Sequence, residues 1–283
     1  MVVHEAIEEQ ERDADCGAEA TLALAKRTGK RYHAMAAVLA LSTLAWAALW
    51  LWGRSPYSRF LSHHSLDTVR GDVTLALVFI AGWVVMVIAM MLPSTLPLLA
   101  TFQRLTGQRA DANRLGMLLI TGYLLTWTLF GIVLYAGDWL LHQAIHTNDW
   151  LADWLWMLPA LTLMVAGAYQ FTPLKRTCLG ACRSPLNCCR GRWDGNAQAH
   201  RSLLLGLHHG LCCVGSCWAL MLLMFASGAS NMGWMFVLGI VMLAEKQLTW
   251  GRRLVVPIGV ALLVWGSLLL LGTSPDVSYL HHH

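Results

Sequence analysis

Residues 206–226, GLHHGLCCVGSCWALMLLMFA, are apolar enough to lie in a membrane, yet they include two histidines and three cysteines. Ionisable groups inside a membrane span are costly and therefore usually mark a functional site. On a helix, residues four apart share a face, so the spacing predicts one stripe of donor groups and an adjacent pair. The stripe is His209, Cys213, Cys217 and Met221, and the pair is His208 and Cys212.

The donor types in this stretch favour a soft metal ion. Imidazole, thiol and thioether groups suit copper(I), and the first two also suit zinc. The alternative is structural, because cysteine packs well in apolar helices and a buried histidine is often only hydrogen-bonded. Geometry on one helix leaves these two interpretations open.

The composition indicates an integral membrane protein. Of the 283 residues, 57% are hydrophobic and 13% are charged, whereas soluble domains average about 25% charged residues. The 14 tryptophans are typical of the aromatic belts at membrane interfaces. We attribute the formal charge of +4 to basic loops and expect no nucleic-acid partner.

The hydrophobic runs predict an all-α, polytopic bundle of about seven transmembrane helices. A cytosolic arm, residues 1–31, precedes a bundle at 32–273, and a tail at 274–283 ends in three histidines that resemble a tag remnant. The predicted spans are residues 34–52, 73–99, 115–136, 151–171, 202–226, 232–245 and 254–272.

The distribution of Lys and Arg predicts the orientation. With seven spans, 17 of the 20 basic residues fall on the side of the N-terminus, and only Arg54, Arg59 and Arg70 fall on the other. Because basic loops stay in the cytoplasm, the N-terminus is predicted to be cytoplasmic. We expect a multi-pass protein of the bacterial inner (plasma) membrane.

The second predicted span, WVVMVIAMMLPSTLPLL at 83–99, supplies further sulfur. Met86 and Met90 are four apart and share a face with Trp83, which makes them candidate copper(I) ligands, whereas Met91 points elsewhere on a regular helix. Methionine is also a common apolar filler. The prolines at 93 and 97 free the backbone carbonyls of Ala89 and Pro93, which then need partners or a wet cavity, so we expect a kink and a cavity here.

Cys178 and Cys182 are four apart in KRTCLGACRSPLNCC, on the predicted cytoplasmic side. Disulfides are rare in that compartment, so metal binding or redox exchange is the functional interpretation, and incidental free thiols are the alternative.

Glu245 and Lys246, which are neighbours in the sequence, close the sixth span. Glu245 is a candidate to orient an imidazole, although a pair of snorkelling or mutually paired charges explains this dipeptide at least as well.

Three segments together resemble a bacterial family of predicted metal-binding integral membrane proteins, classed as a domain of unknown function. They are WVVMVIAMMLPSTLPLL at 83–99, GAYQFTPLKRTCLGACRSPL at 167–186, and the stretch from GLHHGLCC through AEK at 206–246, within a resemblance that covers most of 75–265. The family pattern Cys-x-Gly-Cys-Cys-Trp reads CVGSCW at 213–218, so Ser216 replaces one family cysteine while Cys212 is extra. The resemblance implies metal binding, with copper the usual suggestion.

Three functions remain open at this point. The first is a membrane protein that binds, delivers or transfers copper(I), or zinc, through Cys213, Cys217 and His209, with Met86, Met90 or Met221 completing the site. The second is a membrane thiol–disulfide oxidoreductase that uses the two cysteine pairs and a quinone. The third is a haem-binding or structural subunit of a membrane complex, with His208 or His209 as axial ligand.

Expected partners are the lipid bilayer, a metal ion, and a partner metalloprotein or membrane complex. The absence of GxxxxGK[ST], HExxH, GxSxG and GxGxxG argues against an ATP-driven pump and the common hydrolases.

Overall fold

The computed structural model describes residues 33–54, 73–106, 111–148, 157–184, 198–226 and 232–272. The predicted arm at 1–31 and tail at 274–283 lie outside these residues. Within them the protein is entirely helical, as the sequence predicts, and contains no strand.

Nine α-helices and one short 3-10 turn make up the described part of the chain. The helices are α1 His33–Gly53, α2 Val73–Met90, α3 Leu96–Thr106, α4 Ala112–Thr147, α5 Leu158–Gln170, α6 Pro173–Arg183, α7 Gln198–Ala226, α8 Met232–Gln247 and α9 Gly251–Leu270. The 3-10 turn, Leu92–Thr95, joins α2 to α3. Helix α7 packs chiefly against α4 and also against α5 and α6, while α9 packs against α5.

The second predicted span is broken, as its prolines suggest. Helix α2 ends at Met90, and the chain bends by 50° before it continues through the 3-10 turn into α3. Pro93 has no N–H to bond the carbonyl of Ala89. That carbonyl instead accepts hydrogen bonds from Ser42 Oγ at 2.6 Å and Trp46 Nε1 at 3.1 Å, both on α1. The expected kink is therefore confirmed, and the freed carbonyl of Ala89 has side-chain partners, while the expected cavity stays a prediction.

Several predicted boundaries differ from the structure. Helix α4 continues to Thr147, so most of the predicted outer loop at 137–150 belongs to the same 36-residue helix. The predicted loop at 172–201 contains α6, which starts at a Thr172 cap whose side chain accepts a hydrogen bond from Lys175 N–H. Thr172 and Pro173 give the usual start of a helix, a side-chain cap followed by proline at the first position.

The number of apolar helices of spanning length is smaller than seven. In the described residues, four helices are long and apolar enough to cross a membrane. They are His33–Gly53, Ala112–Ile145, Gln198–Met224 and Gly251–Leu270. The bent pair Ala76–Met90 and Leu92–Thr106 makes a fifth if it is counted as one span. Helices α5 and α8, with 13 and 16 residues, are shorter, so the count of seven stays a prediction.

Glycines allow α4 and α7 to cross with their backbones in contact. A Cβ placed on Gly206 of α7 would lie 2.0 Å from the carbonyl oxygen of Leu119, and one on Gly122 of α4 would lie 2.3 Å from that of Leu203. Small residues at such positions permit close helix packing. This crossing fixes α7 against α4 about two and three turns before Cys213, its first buried cysteine.

Candidate metal centre

Helix α7 places two thiols side by side in the core. Cys213 and Cys217 are one turn apart on the same face, and their exposed fractions are 0% and 1%. Cys217 Sγ donates to the Cys213 carbonyl at 3.0 Å, and the hydroxyl of Ser216 donates to the same oxygen at 2.7 Å. The predicted stripe therefore faces the interior of the bundle and not its outer surface.

The end of α2 brings a third sulfur to these thiols. Met91 is the residue between α2 and the 3-10 turn, and it is fully buried. Its Sδ lies 3.8 Å from Cys217 Sγ. The Met91 N–H still donates to the Val87 carbonyl at 2.8 Å, as in a regular helix, so the chain bends only after this residue. We call Cys213 Sγ, Cys217 Sγ and Met91 Sδ the sulfur centre.

A lysine from α8 reaches the sulfur centre. Lys246 Nζ lies 2.9 Å from Cys213 Sγ, 3.5 Å from Cys217 Sγ and 3.7 Å from Met91 Sδ. The lysine side chain is buried, so its ammonium is directed at sulfur and not at water. The sequence prediction of a snorkelling or mutually paired Lys246 is wrong on this point.

Tyr123 of α4 links the sulfur centre to the helix break. Its hydroxyl lies 3.1 Å from Cys213 Sγ and donates to the Met91 carbonyl at 3.2 Å. Tyr123 is fully buried, and its position depends on the close α4–α7 crossing described above. One side chain thus fixes the relative position of the residues that carry two of the three sulfurs.

Helix α6 packs beside α7 and contributes two more thiols. Cys182 is hydrogen-bonded to Cys213, and this bond together with burial raises the pKa of the Cys182 thiol well above its usual value. Cys178 lies one turn earlier, where a Cβ on Gly215 would meet its Sγ at 2.6 Å. Burial also raises the pKa of the Cys178 thiol. The sequence analysis treated Cys178 and Cys182 as a separate pair, whereas the structure places Cys182 against Cys213 of the sulfur centre and Cys178 against Gly215 of α7.

Charged groups hold α6 against α8. Lys175 Nζ donates to Glu245 Oε2 at 2.7 Å. Arg183, at the other end of α6, donates to the carbonyls of Glu245 and Thr249 at 2.6 Å and 3.2 Å. Glu245 therefore pairs with Lys175, and the sequence predictions that it orients an imidazole or pairs with Lys246 are both wrong.

The spacing within the sulfur centre suits a single metal ion. Two sulfur ligands bound at about 2.3 Å with tetrahedral or trigonal angles lie roughly 3.8–4.0 Å apart. The Cys217–Met91 separation of 3.8 Å agrees with that range. In the described part of the chain, no three His, Cys, Asp or Glu side chains form a ready-made metal cluster, so the candidate centre depends on the thioether of Met91.

Comparison with known families bears directly on this centre. Residues 80–269 match the family model PpoB2, described as a copper chaperone. The chain belongs to this copper chaperone family. The matched range nearly coincides with the 75–265 region of the sequence resemblance, and it contains every residue of the sulfur centre. No curated protein and no solved structure matches the chain.

The two histidines take different positions in this copper chaperone family member. His209 lies on the stripe one turn before Cys213, is 2% exposed, and its ring stands 5.9 Å from that of Tyr123. Its Nδ1 has no hydrogen-bond partner among the described residues. His208 and Cys212 form the predicted adjacent pair, with Nε2 and Sγ 3.9 Å apart on a half-buried face.

The methionines that the sequence predicted as ligands lie in the core. Among the described residues, the structure shows no contact between their sulfur atoms and the sulfur centre. A Cβ on Gly239 of α8 would lie 3.1 Å from Met90 Cε, so Met90 faces α8. Met86 and Met221 are buried in the same hydrophobic core. Met91, Tyr123 and Lys246 are residues at the centre whose roles sequence reasoning missed. Spacing along a single helix carries no signal for them, because each of their contacts with the cysteines joins two different helices.

Proposed function

We propose that the protein binds copper(I) at the sulfur centre and passes it to a partner metalloprotein or membrane complex. The observation that carries this proposal is the 3.8 Å approach of Met91 Sδ to Cys217 Sγ beside the buried thiol of Cys213. Soft thiolate and thioether donors select copper(I) in proteins. Membership in a copper chaperone family supports the same ion.

Transfer of the ion requires a route from the buried centre. Cys182 is hydrogen-bonded to Cys213, and Cys178 lies one turn further along α6 and is half-buried. A copper ion could therefore exchange one sulfur ligand at a time from Cys213 to Cys182 and then to Cys178. His209 precedes Cys213 by one turn on α7, and its Nδ1 has no hydrogen-bond partner among the described residues. Its imidazole is therefore a further neutral ligand for the ion.

We also propose that this site lies within the bacterial inner membrane. Many large apolar side chains on the outer faces of the helices are exposed, including Leu44, Leu77, Met117, Val133 and Leu211, each above 60%. Apolar surface of this extent suits lipid and not water. The four or five helices of spanning length support the same location.

The seven-pass topology is part of this proposal. Helices α5 and α8 are short for a hydrocarbon layer of about 30 Å. If they did not cross, the six basic residues at 172–201 would fall on the same side as Arg54, Arg59 and Arg70, and the asymmetry of charge would be lost. The charge distribution therefore favours crossings at α5 and α8, with the N-terminus in the cytoplasm.

Metal analysis of the purified protein tests the proposal. We expect about one copper(I) per chain, and a Cys213→Ser plus Cys217→Ser double variant should lose it because serine keeps the size of cysteine but not its soft donor. His209→Ala should weaken binding less, since water or methionine can replace one neutral ligand. Cys212→Ser is the matched control, because Cys212 pairs with His208 away from the sulfur centre. Full copper occupancy in the double variant would contradict the proposal.

A thiol–disulfide oxidoreductase is the second candidate, and the contact between Cys182 and Cys213 favours it. Oxidation of these two thiols would form one Cys182–Cys213 disulfide and release two protons and two electrons, which a quinone would accept. The two functions differ in a simple measurement. Wild-type protein that holds no copper, but cycles between two thiols and one disulfide with a quinone, would place this candidate first.

A further inference from the structure

The ammonium of Lys246 covers the sulfur centre. Its Nζ is within 2.9–3.7 Å of all three sulfurs of the centre. Lysine is almost never buried in proteins unless it is paired. The neighbouring acid, Glu245, is directed at Lys175. The fold therefore places the ammonium of Lys246 against three sulfur atoms and not against the carboxylate of Glu245.

This arrangement matters because charge is costly in the interior of a helical bundle. An isolated ion in a low-dielectric environment carries a large desolvation penalty, so a buried metal site is most stable when its total charge is close to zero. Cys213 and Cys217 as thiolates contribute two negative charges. Copper(I) supplies one positive charge, so one negative charge of the two thiolates is left without a counter-charge. Zinc(II) supplies two positive charges and balances both thiolates.

We propose that Lys246 is the specificity-determining residue of the sulfur centre, because its positive charge balances the second thiolate of a bound copper(I) ion and disfavours zinc(II). The inference rests on the proposed copper site and names its selectivity. With Lys246 present, two thiolates and copper(I) sum to zero, and two thiolates and zinc(II) sum to +1. Without it, the totals become −1 and zero, so the preference shifts toward zinc.

The geometry also assigns a place to the ammonium when copper is bound. At 2.9 Å from Cys213 Sγ and 3.5 Å from Cys217 Sγ, Nζ lies close to the position that an ion shared by these thiols would take. A copper ion held by these two thiols would take the place of the ammonium. The lysine stem, anchored in α8, would keep the ammonium near the thiolates as their counter-charge.

Competition titrations with copper(I) and zinc(II) on the purified full-length protein test this inference. Each ion is titrated against a chelator of known affinity, and the ratio of the two dissociation constants is compared between variants. Lys246→Gln removes the charge but keeps an N–H donor for Cys213, and Lys246→Leu removes both without adding a sulfur donor. Lys246→Arg keeps the charge. All are prepared with Cys182→Ser, so that a third thiolate does not enter the charge count.

We expect Lys246→Gln and Lys246→Leu to shift the ratio toward zinc by about 100-fold, the order expected for one charge removed at this range in a partly screened interior. Lys246→Arg should keep the preference for copper. Size-exclusion profiles and helix content report whether each variant folds. If one neutral variant fails to fold, the other decides, and if both fail, Lys246→Arg decides, because a zinc-preferring Arg variant contradicts a charge effect.

The outcomes separate this inference from the proposed function. A wild-type preference for copper in both neutral variants overturns the role of Lys246 while copper binding at the cysteines stands. Copper retained after the Cys213→Ser plus Cys217→Ser change overturns the copper site itself. Loss of copper in that double variant, together with a shift toward zinc in the neutral Lys246 variants, supports both.

Discussion

Lys175 Nζ and Glu245 Oε2 lie 2.7 Å apart in an ion pair that is almost completely buried, with side-chain exposures of 1% and 2%. The pair joins α6, which carries Cys178 and Cys182, to α8, which carries Lys246. Burial lowers the pKa of Lys175, and the carboxylate of Glu245 opposes that shift. The other carboxylate oxygen, Oε1, has no hydrogen-bond partner among the described residues, so Glu245 depends strongly on this one ammonium.

Lys175→Met is therefore expected to destabilise the protein by about 3–5 kcal/mol, because it leaves an uncompensated buried carboxylate. Thermal unfolding in detergent, followed by helix content, measures the change. The control is Lys175→Met combined with Glu245→Leu, which removes both charges and should recover most of the stability. Equal stability of the single variant and the wild type would show that the pair contributes nothing.

Met91→Leu is expected to weaken copper(I) binding with little loss of stability. Leucine keeps the volume of methionine, so the core should tolerate it at a cost below about 1.5 kcal/mol. It removes the thioether that lies 3.8 Å from Cys217 Sγ. Met90→Leu is the matched control: Met90 is the preceding residue, is equally buried and faces Gly239. Copper titration should separate the two variants, and equal affinities would remove Met91 from the centre.

Gly206→Ala is expected to destabilise the protein by about 1–3 kcal/mol through overpacking. Its new Cβ would lie 2.0 Å from the Leu119 carbonyl oxygen, so α4 and α7 must move apart. Gly137→Ala in α4 meets nothing within 4 Å and should stabilise the helix by up to about 1 kcal/mol. Thermal unfolding compares the pair. A neutral Gly206→Ala would mean that the crossing is not tightly constrained.

The topology predicts opposite accessibility for two exposed positions. In a cysteine-free background, Arg176→Cys on α6 should react with an impermeant thiol reagent only from the cytoplasm, and Gln143→Cys near the end of α4 only from outside. Both positions would label from the same side if α5 did not cross the membrane. That result would reject the seven-pass topology without bearing on the proposed copper site.

Sequence reasoning predicted the features of the centre that depend on local periodicity. The four-residue spacing of Cys213 and Cys217 was sufficient to place both on one face, because a regular helix fixes that relation. The apolar character of the stretch was sufficient to predict a helix there. The two prolines after Met91 were sufficient to predict a break and unsatisfied carbonyls in α2.

The remaining features depend on how helices meet, which spacing along one helix does not encode. Met91 lies off the face of α2 that Trp83, Met86 and Met90 share, and its contact with Cys217 depends on how α2 meets α7. Lys246 was expected to snorkel or to pair with Glu245, although α8 directs it into the core. Cys182 was placed in a loop, whereas Thr172 and Pro173 start a helix that packs closely on α7 at Gly215.

The two hydrogen bonds from α1 to the Ala89 carbonyl make the first helix part of the support of the candidate centre, although it contributes no sulfur. The family match begins at residue 80 and includes every sulfur of the centre, but it excludes Ser42 and Trp46. A chain cut back to the matched region would keep all the sulfur donors and lose the two hydrogen bonds that hold the end of α2 next to Met91. The cysteines and methionine alone are thus not all that the candidate centre needs, since Ser42 and Trp46 hold α2 from outside the matched range.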